Sequence, residues 1–148
     1  MVGKIPKRKP RDGVDGYGRA PLHYAAGDSR TSDVDKLIAA GADVNAQDDN
    51  GWTPLHFAAQ ASCSECTSAL LQAGASTALQ DSFGNTALWR AVFESNGNGS
   101  VIQLLRQAGA DPHVKNKHGV SPLSLARTIA NYDVAQFFSD VEESENEA

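Results

Sequence analysis

Two histidines and two cysteines are the side chains of this 148-residue chain best suited to chemistry. An imidazole titrates near neutral pH and serves as a general base or a metal ligand. Catalysis asks for one such histidine with its own orienting partner. Here His23 and His56 fill the same place in "APLHYAAG" and "TPLHFAAQ", 33 residues apart, and Trp89 and Ser124 stand in that place later. A repeated and replaceable histidine reads as structural. Cys63 and Cys66 form "CSEC". A CxxC at a helix start acts as a redox pair where a thiol pKa is lowered, or as half of a zinc site, which needs four ligands. No second CxxC exists. Cys66 therefore reads as a small inward-facing hydrophobe, and a thiol redox protein or sensor is the alternative.

His113 and His118 lie five apart with no thiol or carboxylate cluster to complete a metal site. "PKRKPR" at 6–11 suits a polyanion or a nuclear-import receptor. The simpler reading is a solvated, disordered arm. No phosphate loop, nucleophile elbow or pair of carboxylates in a plausible cleft is present. The chain is expected to be no enzyme, to hold no cofactor and to take no small-molecule substrate.

The elements that position these residues follow from a repeat. "GWTPLHFAAQ" at 51–60 has counterparts beginning at Gly18, Gly84 and Gly119, and "AAGADVN" at 39–45 has counterparts at 72–78 and 107–113. Both landmarks step by 33 and then by 35, which places a two-residue insertion in "ESNGNGS" at 94–100. Thr53, Thr86 and Ser121 read as N-caps, whose hydroxyls accept an orphan N–H of the first turn, whereas Ala20 gives up that bond. Pro21, Pro54 and Pro122 suit the first helical position. Leu22, Leu55, Leu88 and Leu123, with Ala25, Ala58, Ala91 and Ala126 three residues on, form a narrow apolar face. A second helix per unit carries the bulkier stripe: Val34, Leu37 and Ile38; Leu70 and Leu71; Val101, Ile102, Leu104 and Leu105; Val134, Phe137 and Phe138. Gly41, Gly74 and Gly109 follow as left-handed C-caps.

A 33-residue period with a "TPLHxA" signature resembles the ankyrin repeat family, over about residues 15–140. The resemblance implies an all-α repeat solenoid of four stacked ankyrin helix-turn-helix units with projecting β-turn fingers. The units fall at 15–47, 48–80, 81–115 and 116–140, between a basic arm at 1–13 and an acidic tail at 141–148. It also implies that the repeated histidine bonds the capping hydroxyl and the backbone of the adjoining finger. "DDNGWTPLHFAAQ" and "HGVSPLSLARTIANYDVAQFF" further resemble small, free-standing bacterial ankyrin repeat proteins, some of which are immunity proteins that neutralise a cognate toxin.

Composition narrows the partner. Hydrophobic residues make up 41% and charged ones 21%, which suits a folded chain rather than a disordered one. No apolar run approaches the roughly 20 residues that span a bilayer. With two cysteines and no export signal, the expected compartment is the reducing cytoplasm. Residues 4–11 hold Lys4, Lys7, Arg8, Lys9 and Arg11, and 140–148 hold Asp140, Glu142, Glu143, Glu145 and Glu147. These ends cancel, so the body carries about the whole net charge of −5. An acidic body disfavours a nucleic-acid backbone, leaving arm-mediated binding as a further alternative, and suits a basic protein partner.

The resemblance implies a concave protein-binding surface built from finger tips and first helices. Its recurring slots hold Tyr17, Asn50, Phe83 and His118 at the finger tips; Arg19, Trp52, Asn85 and Val120 beside the caps; and Asp28, Gln60, Phe93 and Glu94 at the first-helix ends. Tyr17, Trp52 and Phe83 stand where the fold does not require burial, and exposed aromatics anchor interfaces. Asp28, Asp49 and Glu94 would steer a basic partner.

Overall fold

The computed structural model describes residues 13–141. The basic run at 4–11 and the acidic residues from 142 onward lie outside the described residues. Seven α-helices and one 3-10 turn follow in order: α1 Pro21–Gly27, α2 Thr31–Ala39, α3 Pro54–Gln60, α4 Ser64–Gln72, α5 Ala87–Glu94, α6 Ser100–Gln107, α7 Pro122–Thr128 and the turn Val134–Phe138. No strand occurs among the described residues. The chain is an all-α repeat solenoid: α1, α3, α5 and α7 form one row, and α2, α4 and α6 form a second row behind it.

Local chemistry starts each first helix where the repeat places it. Thr53, Thr86 and Ser121 accept the backbone N–H three residues on, and Ala20 provides no such bond. Proline opens α1, α3 and α7. The leucine–alanine face is buried in every unit, and Val34, Cys66, Leu70, Ile102 and Leu105 from the second row close the same core. Among the described residues no helix exceeds nine residues. Isolated helices this short are marginal in water, so stacking supplies their stability.

The first unit ends the core by changing polarity. Cys63, Cys66 and Ala69 face backward in the second unit, and the positions 33 earlier hold Arg30, Asp33 and Lys36. Arg30 pairs with Asp33 at 2.8 Å. These residues and Tyr24 rim a shallow concavity of about 750 Å³ on the outer side of the first helix pair. A polar outer face of this kind stays in water without a further unit stacked on it.

The fourth unit departs from the expected helix pair. Val134, Phe137 and Phe138 lie on a five-residue 3-10 turn rather than an α-helix, with Val134 and Phe138 buried. Among the described residues this single turn covers the end of the core. Arg106 fixes this turn by bonding the Phe137 carbonyl at 2.9 Å and both Asp140 oxygens at 2.6 and 2.9 Å. The guanidinium holds the Asp140 carboxyl below the usual carboxylate range. The inserted stretch forms the α5–α6 connection, as the spacing predicts. It is not a free loop: Gly97 lies against Tyr132, and Gly99 against the Phe137 ring.

Candidate functional site

Four fingers precede the four first helices. Each is tied by one Asx side chain, at 15, 48, 81 and 116. Asp48 Oδ1 accepts from the N–H groups of Asn50 and Trp52 at 2.9 and 2.8 Å. Asp81 Oδ1 accepts from Phe83 and Asn85, both at 2.9 Å. Asp15 and Asn116 repeat the arrangement. Aspartate and asparagine favour such turns because a short side chain reaches its own backbone two residues on. Consecutive fingers then join at their tips: Asp49 donates to the Tyr17 carbonyl, Ser82 to Asn50 and Lys117 to Phe83, each at 2.9 Å. The approach is close enough to require glycine. Gly51 has φ +80°, and a Cβ there would lie 2.9 Å from Asp81 Cα.

The histidines lock fingers to helices. His56 Nδ1 accepts the Thr53 N–H at 3.1 Å, with Thr53 Oγ1 at 2.8 Å, and Nε2 faces the Asn85 carbonyl at 2.8 Å. His23 Nδ1 accepts the Ala20 N–H, and its Nε2 reaches the carbonyls of Ala46 and Trp52. A backbone N–H must donate and a carbonyl must accept, so both rings carry their proton on Nε2. Burial pushes the His56 pKa down, partly opposed by its bond to Asn85. Both Nδ1 lone pairs are engaged, so neither of these two rings is free to act as a general base. Trp89 takes the third slot and cannot bridge in this way. There Asn116 Nδ2 donates to Asn85 Oδ1 at 2.9 Å across the two fingers.

The cysteines are free and buried. Cys63 Sγ caps α4 by accepting the Cys66 N–H at 3.2 Å. Burial, then the bond to Cys63, pushes the Cys66 thiol up to about 12, away from the thiolate that redox exchange needs. Among the described residues no three His, Cys, Asp or Glu side chains group to hold a metal.

One continuous strip stands out on the finger and first-helix face. Arg19 lies over Tyr17, Tyr24 and Phe57 at 5.1, 5.8 and 5.3 Å from the ring centroids. Phe57 meets Trp52 at 5.0 Å. Arg90 lies over Trp52, Trp89 and Phe93 at 4.8, 5.3 and 5.4 Å, and Trp89 stacks on Phe93. Six rings and two guanidinium groups thus run across three units. Asp48 holds Arg19 at 3.2 Å, and Glu94 lies 3.6 Å from Arg90. A guanidinium between ring faces is held flat and partly desolvated, which strengthens its attraction to them.

The strip unites Tyr17, Arg19, Trp52, Phe93 and Glu94 from the residues singled out in the sequence. Tyr17, Phe83 and Phe93 are 64%, 58% and 55% exposed. Asp28, Asp49, Asn50, Gln60 and His118 are also exposed, but the ring contacts do not extend to them. Arg19, Trp52 and Glu94 are half-buried, so Trp52 is not the exposed aromatic that its slot suggested, and Asn85 departs furthest: it is 5% exposed and its side chain faces inward to Asn116. Tyr24, Phe57 and Arg90 were not among the residues singled out in the sequence, and Trp89 stood there only as a replacement for the repeated histidine. The signal was available, because Tyr24, Phe57 and Arg90 each follow the histidine slot directly and are large in every case.

No helix among the described residues is long and apolar enough to cross a membrane. Residues 22–116 match the family model described as ankyrin repeats (3 copies). Among curated proteins, none matches the sequence.

Proposed function

Because the chain belongs to the ankyrin repeat family, a family of protein–protein interaction modules, we propose that it binds a basic partner protein through the strip of Tyr17, Trp52, Phe93 and their guanidinium neighbours. The observation that carries this reading is the strip's continuity, with large aromatic residues left exposed on a backbone fixed by finger-to-finger bonds. Rigid exposed aromatics bury area at little entropic expense and are frequent energetic anchors. The body's net charge of about −5, with Asp28, Asp49 and Glu94 at this face, supports a cationic partner. A narrower form is an immunity protein occluding a basic toxin, which rests on the resemblance to small bacterial ankyrin proteins. No group in the strip has the arrangement of a nucleophile with its base, and the reading is non-catalytic.

Photo-cross-linking residues placed at Phe83 and Phe93, with a control at Gln103 on α6, test the surface in the cells that make the protein. Capture of one protein from the first two sites and not from the third is the expected result. Capture from Gln103 alone, or from none of the three, overturns the reading. A toxin as the captured protein supports the narrower form, and any other protein removes it.

A further inference from the structure

The four finger Asx side chains each commit one oxygen to their own backbone, so their second polar atoms are the informative ones. Asp15 Oδ2 accepts the Tyr24 hydroxyl. Asp48 Oδ2 faces Arg19 Nε at 3.2 Å. Asn116 Nδ2 donates to Asn85 Oδ1 at 2.9 Å. Asp81 Oδ2 is buried and has no hydrogen-bond partner, in a residue only 5% exposed. The repeat explains why. The slot that gives Asp48 its arginine gives Asp81 Trp52, and the cation of that contact has moved to Arg90 on α5, whose own Nε also lacks a partner. A buried carboxylate oxygen without a donor is unfavourable, and the molecule itself displays, at Asp48, the group that relieves it.

We propose that Asp81 is the anchoring carboxylate for an arginine side chain of the bound protein, admitted when the Trp52 ring turns aside. This rests on the protein-binding reading and names its anchor. Arginine fits better than lysine, since its planar fork pairs with a carboxylate while its face stacks on an aromatic ring. Trp52 fills, one unit on, the slot from which Arg19 reaches Asp48, and Phe83, 58% exposed, stands two residues along the same finger. The body's net charge of about −5 favours the approach of a cation.

The probe is an acetylated, amidated peptide with three arginines, paired with one carrying citrulline in their place. Both are titrated into the full isotope-labelled chain, and NMR follows the Asp81 carboxyl carbon and the Phe83 and Asn85 amides. A saturable shift with arginine and none with citrulline is expected. Asp81→Asn keeps the fold, because Asn116 ties an equivalent finger, and it weakens the arginine peptide by about tenfold or more. Trp52→Arg supplies the cation internally, as Arg19 does for Asp48, and weakens the peptide likewise. Equal affinity in Asp81→Asn, equal shifts with citrulline, or no saturable shift at Asp81 overturns the proposal. A partner cross-linked equally by wild type and Asp81→Asn leaves the binding surface standing and removes this anchor.

Discussion

The Arg90 guanidinium carbon sits 4.8 Å from the centroid of Trp52, in the pair of slots that Phe57 and Arg19 fill one unit earlier at 5.3 Å. Cation and ring have exchanged places between finger and helix. The contact survives the exchange, because attraction between a guanidinium and a ring face does not depend on which chain segment supplies which. The finger carboxylate beneath does depend on it, and this asymmetry leaves Asp48 paired and Asp81 open.

Arg90→Ala removes three ring contacts at once. Each is worth about 0.5–2 kcal/mol according to its desolvation, and the contacts share one guanidinium, so the expected loss is about 1–2 kcal/mol rather than their sum. The 3.6 Å approach to Glu94 adds little, as a partly exposed pair. Urea unfolding read by tryptophan fluorescence checks this, and a red-shifted native emission is expected as Trp52 and Trp89 gain water. An unchanged midpoint and spectrum would mean that the strip holds nothing together in the free protein.

His56 makes stability depend on pH in a defined window. Burial lowers its folded pKa below the unfolded value of 6.5, so below 6.5 the unfolded chain takes up the proton more readily. Stability is whole above that pH, declines as pH falls from 6.5 toward the folded pKa, and levels off below it. His56→Gln removes the titration while retaining an N3 side chain that can reach the cap N–H. The expected outcome is a lower plateau near pH 7, by about 1–3 kcal/mol for the lost bond to Asn85, and a flatter profile between pH 6.5 and 5. Denaturant titrations across that range measure both.

The Cys66 thiol, pushed up to about 12 chiefly by burial, is expected to resist an aromatic disulfide reagent at pH 8, as is Cys63. Reaction should accelerate by orders of magnitude once denaturant opens the helix pair, because both the thiolate fraction and access then rise together. Rapid modification of the native protein would return the thiol redox reading to consideration.

The solenoid was legible in the sequence because each brick rests on short-range rules: the hydroxyl at Thr53, the proline at 54 and the glycine at 74 act within one turn of chain. The strip was only half legible. Tyr17, Arg19 and Trp52 advertise themselves as large residues in unconstrained slots, whereas Phe57 and Arg90 look like ordinary helix positions until the fingers of neighbouring units are set beside them. Asn85 misled for the converse reason. Its slot holds the long, half-buried side chains of Arg19 and Trp52 in the units before, but a short amide finds Asn116 across the finger and turns inward. The fourth unit's second helix failed to form because its neighbours in space, and not its apolar spacing, set its shape.

Gly99 offers the cleanest test of that last point. Its φ of −91° is open to any residue, so Gly99→Ala carries no backbone strain and acts only through the added methyl. That methyl would overlap the edge of the Phe137 ring, which must shift, and Phe137 also carries the carbonyl that Arg106 holds at 2.9 Å. Overpacking of this kind costs about 1–3 kcal/mol. The loss should fall on the last unit, since stacked repeats contact only their neighbours. Hydrogen exchange is therefore expected to quicken from α7 to residue 141 while α1–α4 keep their protection. Uniform loss along the whole chain, or none, would show that the inserted loop and the terminal turn are not coupled through this contact.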